Sequence, residues 1–404
     1  MNRELELNAA CRDGDHAAVT RLFAAGLTVA GARADGNKAL RLACANGHHA
    51  VIERLFAAGL TVEDARARDN EALQLACMNG HLAVVDRLFE EGLTAADARA
   101  DDNWALRAAC ENGHHAVVTR LFEAGLTAAD ARAHDNHALR WACHNGHLGV
   151  ITRIFAAGLT VDDARAIDNA SLAVACLSGH LAVVERLFEE GLTAEDARSG
   201  NNAPLRWASI AGHAAVVRRL FEAGLTAADA RADNNHALRG ACDQGHLAVV
   251  SRLFEAGLTA ADARADNNDA LRRACGAGHV AVVRRLFEAG LTADDARAGN
   301  NAPLKSAVAK GRAEVIEELL LRGAVPTARA IKAVAKACDH DRLCQIAQAL
   351  HEHWAGTPEL EAAEAGLEAA TAGLEAAAAA AASAAAAWAA ARRARAPGAL
   401  RYAD

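Results

Sequence analysis

The sequence carries no excess of positive charge. Lys and Arg number 43 against 51 Asp and Glu, which leaves a net charge of −8. The basic field that draws nucleic acid is missing, so no nucleic-acid partner is expected. A long, strongly apolar run is missing too. The one long uncharged stretch, residues 376–391, is nearly all alanine, too weakly apolar for a membrane span. The opening MNRELELNAA places charges where a secretory signal needs an apolar core. No P-loop, dinucleotide glycine pattern or Ser–His–Asp set stands out. No catalysis and no cofactor are therefore expected.

Ten cysteines look like a disulfide framework until they are located. Eight fall on a strict 33-residue period: Cys11, Cys44, Cys77, Cys110, Cys143, Cys176, Cys242 and Cys275. Ser209 and Val308 take the same place in two further units. A position that accepts Cys, Ser or Val is a small buried slot. Equivalent atoms of adjacent packed helices lie roughly 10 Å apart, beyond disulfide reach. Reduced thiols are expected, which favours the cytoplasm; delivery into a host cell is the alternative.

What the chain has in abundance is its own repetition. RLFEAGLTAADARADNN runs from Arg219 to Asn235 and returns unchanged from Arg252 to Asn268. Ten anchor glycines, from Gly14 to Gly311, keep the 33-residue register without a slip. Such a period marks a solenoid in which each unit packs only on its neighbours.

Within a unit, an Asn such as Asn235 reads as the N-cap of a short helix. Ala237, Leu238, Ala241 and Cys242 follow at helical spacing, and Gly245 ends the helix. A second helix runs through Val249, Val250, Leu253 and Phe254. All nine Phe residues occupy this last position, which reads as core. Thr-x-x-Asp then recurs, as in Thr259/Asp262, and reads as a capping box opening one helical turn. An Arg two residues after each Asp suggests an Asp–Arg ladder between units. Cys-x-x-x-His, as in Cys110/His114, could pair metal ligands on paper. The glycine between them ends the helix, however, and no metal is expected.

The pattern ALRxACxNGHLAVVxRLFEAG resembles the ankyrin repeat, over roughly residues 1–323. It resembles variant arrays built from Asp-Asn-x-Ala-Leu-Arg units. The resemblance implies an all-α, ankyrin-type helix-turn-helix solenoid, an elongated α-superhelix, acting as a monomeric protein-binding scaffold through its concave face. It also implies that the His after each anchor glycine braces the turn. The usual Thr-Pro-Leu-His opening is Asn-x-Ala-Leu-Arg here, and LTAADARADNN replaces the usual loop. A turn or short helix is therefore expected in place of a β-hairpin. Residues 324–356 read as a closing helix pair, and 357–404 as an Ala-rich helical tail. That tail would be a lone helix, a helix docked on the array or a partner, or an oligomerising element. The last of these gives the alternative function, a structural protein.

Partner choice must lie where the copies differ. In the slot after the periodic Cys stand Met78, His144, Leu177 and Ile210. In the slot after the Asn stand Trp104, His137 and His236, and Ile167 occupies a loop slot otherwise polar or Gly. These eight residues are the expected partner-binding set. Trp141 and Trp207, two residues after the periodic Leu, are expected in the core.

Overall fold

A computed structural model describes residues 3–337, 345–350, 363 and 365–373. The chain gathers into two compact units, Met1–Asp229 and Ala230–Asp404. The described residues of both are helix and turn, without a strand.

The first unit holds seven pairs of antiparallel-repeat helices, from Arg3–Asp13 with His16–Ala24 to Ala194–Ala211 with Ala214–Glu222. One repeat shows why they form. In Ala133–Asn145, the side chains of Ala138, Leu139, Ala142 and Cys143 recur at helical spacing and are buried. Gly146 ends the helix with φ 78°. A Cβ on Gly146 would also lie 2.6 Å from Nδ1 of His180 in the next repeat, so both backbone and space require glycine there. His180 Nε2 in turn donates to the His144 carbonyl, 3.0 Å away. The same bond recurs from His48 to His213 in this unit and at His279 in the second. A carbonyl only accepts, so each of these rings carries its proton on Nε2.

The second helix, Leu148–Ala156, buries Val150, Ile151, Ile154 and Phe155. Only four of the nine Phe side chains, at 56, 122, 155 and 287, are fully buried. The others are half-buried, which corrects their assignment to the core. The position lies at the seam between repeats, where an Arg of a following repeat covers the ring. Arg120 stands 4.6 Å over Phe89, and Arg153 4.7 Å over Phe122.

After the second helix the chain makes the expected helical turn. Thr160 caps Val161–Ser178 with the full capping box, its amide donating to Asp163 Oδ2 at 2.8 Å. The expected ladder is present. Arg Nε meets Asp Oδ1 of the next repeat at 2.6–2.8 Å in eight rungs. Six lie in the first unit, from Arg33–Asp64 to Arg198–Asp229, and two in the second. Nη2 completes a bidentate pair, as for Arg132 and Asp163 Oδ2 at 2.9 Å. The same Nη2 reaches the Gly158 carbonyl at 3.1 Å. Burial works against ionisation of Asp163, but Arg132 and the Thr160 amide outweigh it and hold the carboxyl below the usual range.

Three residues follow in left-handed conformation, nine times over, with φ from 52° to 65°. Of the 24 non-Gly residues with positive φ among the described residues, 21 are Asp or Asn, the types that tolerate this region. The third is always Asn. Here the N-cap expectation fails. Asn235 sits at φ 58°, outside the extended region a cap adopts, and its Oδ1 accepts no hydrogen bond among the described residues. Its contribution is its amide, which donates to the Arg231 carbonyl at 3.1 Å. The Arg of Ala-Leu-Arg then folds back onto the turn: Arg140 donates to the carbonyls of Asp135 and His134 at 3.0 and 3.2 Å.

The eight periodic cysteines are buried and free, and burial pushes Cys11 up to about 12. Cys338 and Cys344 lie outside the described residues. The second unit carries three helix pairs, ending with Ala313–Leu321, and then Ala328–Ala337 and helical residues 345–350. The ladder stops where its acid stops: Arg297 Nε donates instead to the Gly323 carbonyl at 2.8 Å. Of the Ala-rich tail, residues 365–373 are helical. A Cβ on Gly366 would lie 3.0 Å from Ile331 Cγ2, and Leu367 is buried. This start of the tail is therefore docked and not a lone helix. Apart from residue 363, the rest of the tail lies outside the described residues.

Two measurements test the ladder. Asp163→Ala removes a cap and leaves Arg132 without its acid, so it should cost about 2 kcal/mol in urea unfolding; a cost under about 0.5 kcal/mol would contradict the assignment. Eight carboxylates held below their unfolded value, about 3.9, stabilise the fold above that value and lose this as pH falls through their folded pKa. The melting temperature should be level from neutral pH to about 5 and fall steeply below about 4. A level profile down to about pH 2.5 would refute it.

Candidate binding surface

Each first helix presents three positions at spacings of four and three residues, which place them on one face. In successive repeats these are Trp104, Ala108 and Glu111; His137, Trp141 and His144; Ala170, Val174 and Leu177; Ala203, Trp207 and Ile210. All lie in the first unit. Trp141 is 37% exposed and Leu177 39%. Trp207, Val174 and Ile210 are half-buried. The core assignment of Trp141 and Trp207 is thus overturned. The residue after a periodic Leu by two turns away from the neighbouring helix, since Leu139, Ala142 and Cys143 already fill the buried side. Trp104, Trp141 and Trp207, the three Trp residues of the repeats, share this face.

Trp141 organises its helix. The His137 ring lies 5.8 Å away at 37°, and His144 meets it edge-on at 5.3 Å and 88°. His144 Nδ1 lies 3.0 Å from Ser178 Oγ. Burial first, then the nearby charges of Arg107, Arg140 and His134, lower the His137 pKa to about 4. His137 is neutral at pH 7. Sequence reasoning missed Trp141 as a surface residue; its signal was two flanking His residues at helical spacing.

Next to this cluster is a concavity of about 500 Å³ lined by Met78, Trp104, Arg107, Ala108, Glu111 and His137. It brings together three of the eight expected residues. His144 joins them through Trp141, and Leu177 and Ile210 occupy its equivalents in later repeats. His236 belongs to the second unit, where its Nδ1 pairs with Asp233 at 3.2 Å. A metal has little to hold here. Cys110 is buried, His114 Nε2 is engaged by the Met78 carbonyl, and no group of three or more His, Cys, Asp or Glu converges among the described residues.

Ile167 is the outlier. It is 51% exposed and stands first in a left-handed turn, with φ 53° and ψ 58°. A β-branched residue is strained there. Its turn also lacks the usual guanidinium, because Ala173 replaces the Arg. Ser199 Oγ comes within 3.1 Å of the Asp168 carbonyl instead. Ile167→Asn should therefore raise stability by about 1 kcal/mol. An unchanged or lower melting temperature would show that the turn carries no such strain.

The sequence matches a family model described as ankyrin repeats (3 copies) over residues 7–102, 73–165, 172–263 and 238–330. No curated protein matches it. Among solved structures, the chain is similar to the human ASB11 ankyrin repeat domain. The two share 24% identity at a TM-score of 0.39, over 46% of this chain and 84% of that one. Four matched segments, phased on the same glycines and together spanning most of the sequence, establish that the chain belongs to the ankyrin-repeat family.

Proposed function

We propose that this chain is a non-catalytic scaffold that binds a protein partner on the first-helix face of residues 1–229, the concave side of an ankyrin array. Ankyrin repeats are in general protein–protein interaction modules, and the single observation carrying the choice of face is its aromatic content. Trp141 and Leu177 are exposed there, Trp104 and Trp207 are half-buried, and Ile167 is exposed in an adjoining turn, the apolar and aromatic content that suits a protein interface. The core-facing positions are alike from repeat to repeat and offer no basis for choosing a partner.

The working set is Met78, Trp104, His137, Trp141, His144, Ile167, Leu177 and Ile210. His236, in the second unit, is left out. Residues 1–323 form the ten repeats, 324–356 close them, and 357–404 follow. Buried reduced thiols favour a cytoplasmic setting, and no described helix is long and apolar enough to cross a membrane. Burial of Leu367 at the start of the tail counts against a tail free to oligomerise.

Affinity capture from cells with mass spectrometry tests the face. Proteins retained by the parent should be lost with Trp141→Ala and with Leu177→Asp. Each change should weaken binding by more than about 1 kcal/mol while the melting temperature holds. Retention of the same proteins by both variants would refute the assignment.

A further inference from the structure

The concavity beside Trp104 differs from the rest of the face in its polar groups. Glu111 is half-buried there. Its backbone carbonyl accepts from Asn145 and His147, but its carboxylate has no hydrogen bond or ion pair among the described residues. Asn79 and Asn112 also line the space. Each donates one Nδ2 hydrogen to a carbonyl of its own helix, at 3.0 and 2.9 Å, and its Oδ1 is open as an acceptor. Nδ1 of His137 is buried and without a partner. The one cation among the lining residues is Arg107; its Nη2 donates to the Asp101 carbonyl at 3.3 Å, and its Nε is buried without a hydrogen-bond partner among the described residues. The Glu111 carboxylate and two amide oxygens therefore stand open as acceptors, beside Arg107, an indole ring and a thioether.

We infer that this concavity receives the side chain of a lysine or arginine presented by the protein partner. A basic side chain has an apolar stem and a charged, donor-only head. The stem matches Met78 and the indole of Trp104, over which a cation is favoured. The head matches the unpaired carboxylate of Glu111 and the open amide oxygens. The net charge of −8 draws a basic partner toward the chain. An acidic side chain would meet only Arg107 and would leave Glu111 facing a like charge. This inference rests on the face proposed above.

The test is selection of random phage-displayed peptides on the full chain. Glu111→Gln should keep the parent's melting temperature, because the carboxylate has no partner and the carbonyl serving His147 is unchanged. Selected peptides should share a Lys or Arg. Replacing that residue by norleucine should weaken binding to the parent by about tenfold, the worth of one charged hydrogen bond, and should change binding to Glu111→Gln far less. Peptides sharing an acid whose binding falls with Arg107→Gln would overturn the inference, as would peptides with no shared basic residue. An equal norleucine effect on both proteins would overturn it too. The face itself would still stand if those peptides were weakened by Trp141→Ala. Peptides indifferent to both Trp141→Ala and Leu177→Asp would remove the face and the inference together.

Discussion

The structure depends on one bidentate ion pair. Each Asp of the ladder accepts two kinds of bond at once. It takes the amide of its own Thr, which fixes the local turn, and the guanidinium of the preceding repeat, which fixes the register between repeats. The same Arg also satisfies the carbonyl of the glycine that ends the second helix. Three neighbouring pieces are thus set by a single carboxylate. A buried acid with one partner missing would be costly, so the arrangement is all or none at each rung. His Nε2 bonds to the carbonyl at the end of each previous first helix make a second, parallel tie.

Because the ladder fixes where each loop begins, the chain has only a few residues in which to enter the next helix. It does so by three consecutive left-handed residues, a conformation costing roughly 1–2 kcal/mol each for an ordinary side chain. The sequence meets that cost with composition, using Asp, Asn and Gly, and with the Arg of the following helix, which binds the turn's carbonyls. Position 167 departs from both devices, with Ile in the turn and Ala173 in place of the Arg. Position 167 is thus where the local rule of the turn is broken on both counts.

The repeat period, helix order, capping boxes, ladder and buried thiols were legible in the sequence because each is a local pattern copied many times. The left-handed turn was not. Asp-Asn-Asn suits an N-cap as well as a positive φ, and only the distance spanned by the chain decides between them. The half-exposed Phe positions were hidden for a related reason: a covering Arg comes from another repeat, so helical spacing alone reads the ring as interior. Trp141 was misplaced because size suggested burial, whereas Leu139, Ala142 and Cys143 had already taken the buried side. Met78, Trp104 and His137 share one concavity although they stand in three repeats, and only the packing of one first helix on the next brings them together.

A rigid, uniform frame presenting a varied face explains why the copies are nearly identical inside and differ outside. Its central claim is that the loops are held as firmly as the helices. Amide hydrogen exchange of the full chain at neutral pH tests this directly, read at the Asn136 and Thr160 amides. These donate to the Arg132 carbonyl and to Asp163. Protection of both within about tenfold of the buried amides of Val150 and Ile151 is the result this account predicts. Exchange of either at the rate of an unstructured chain, while those helix amides remain protected, would contradict it.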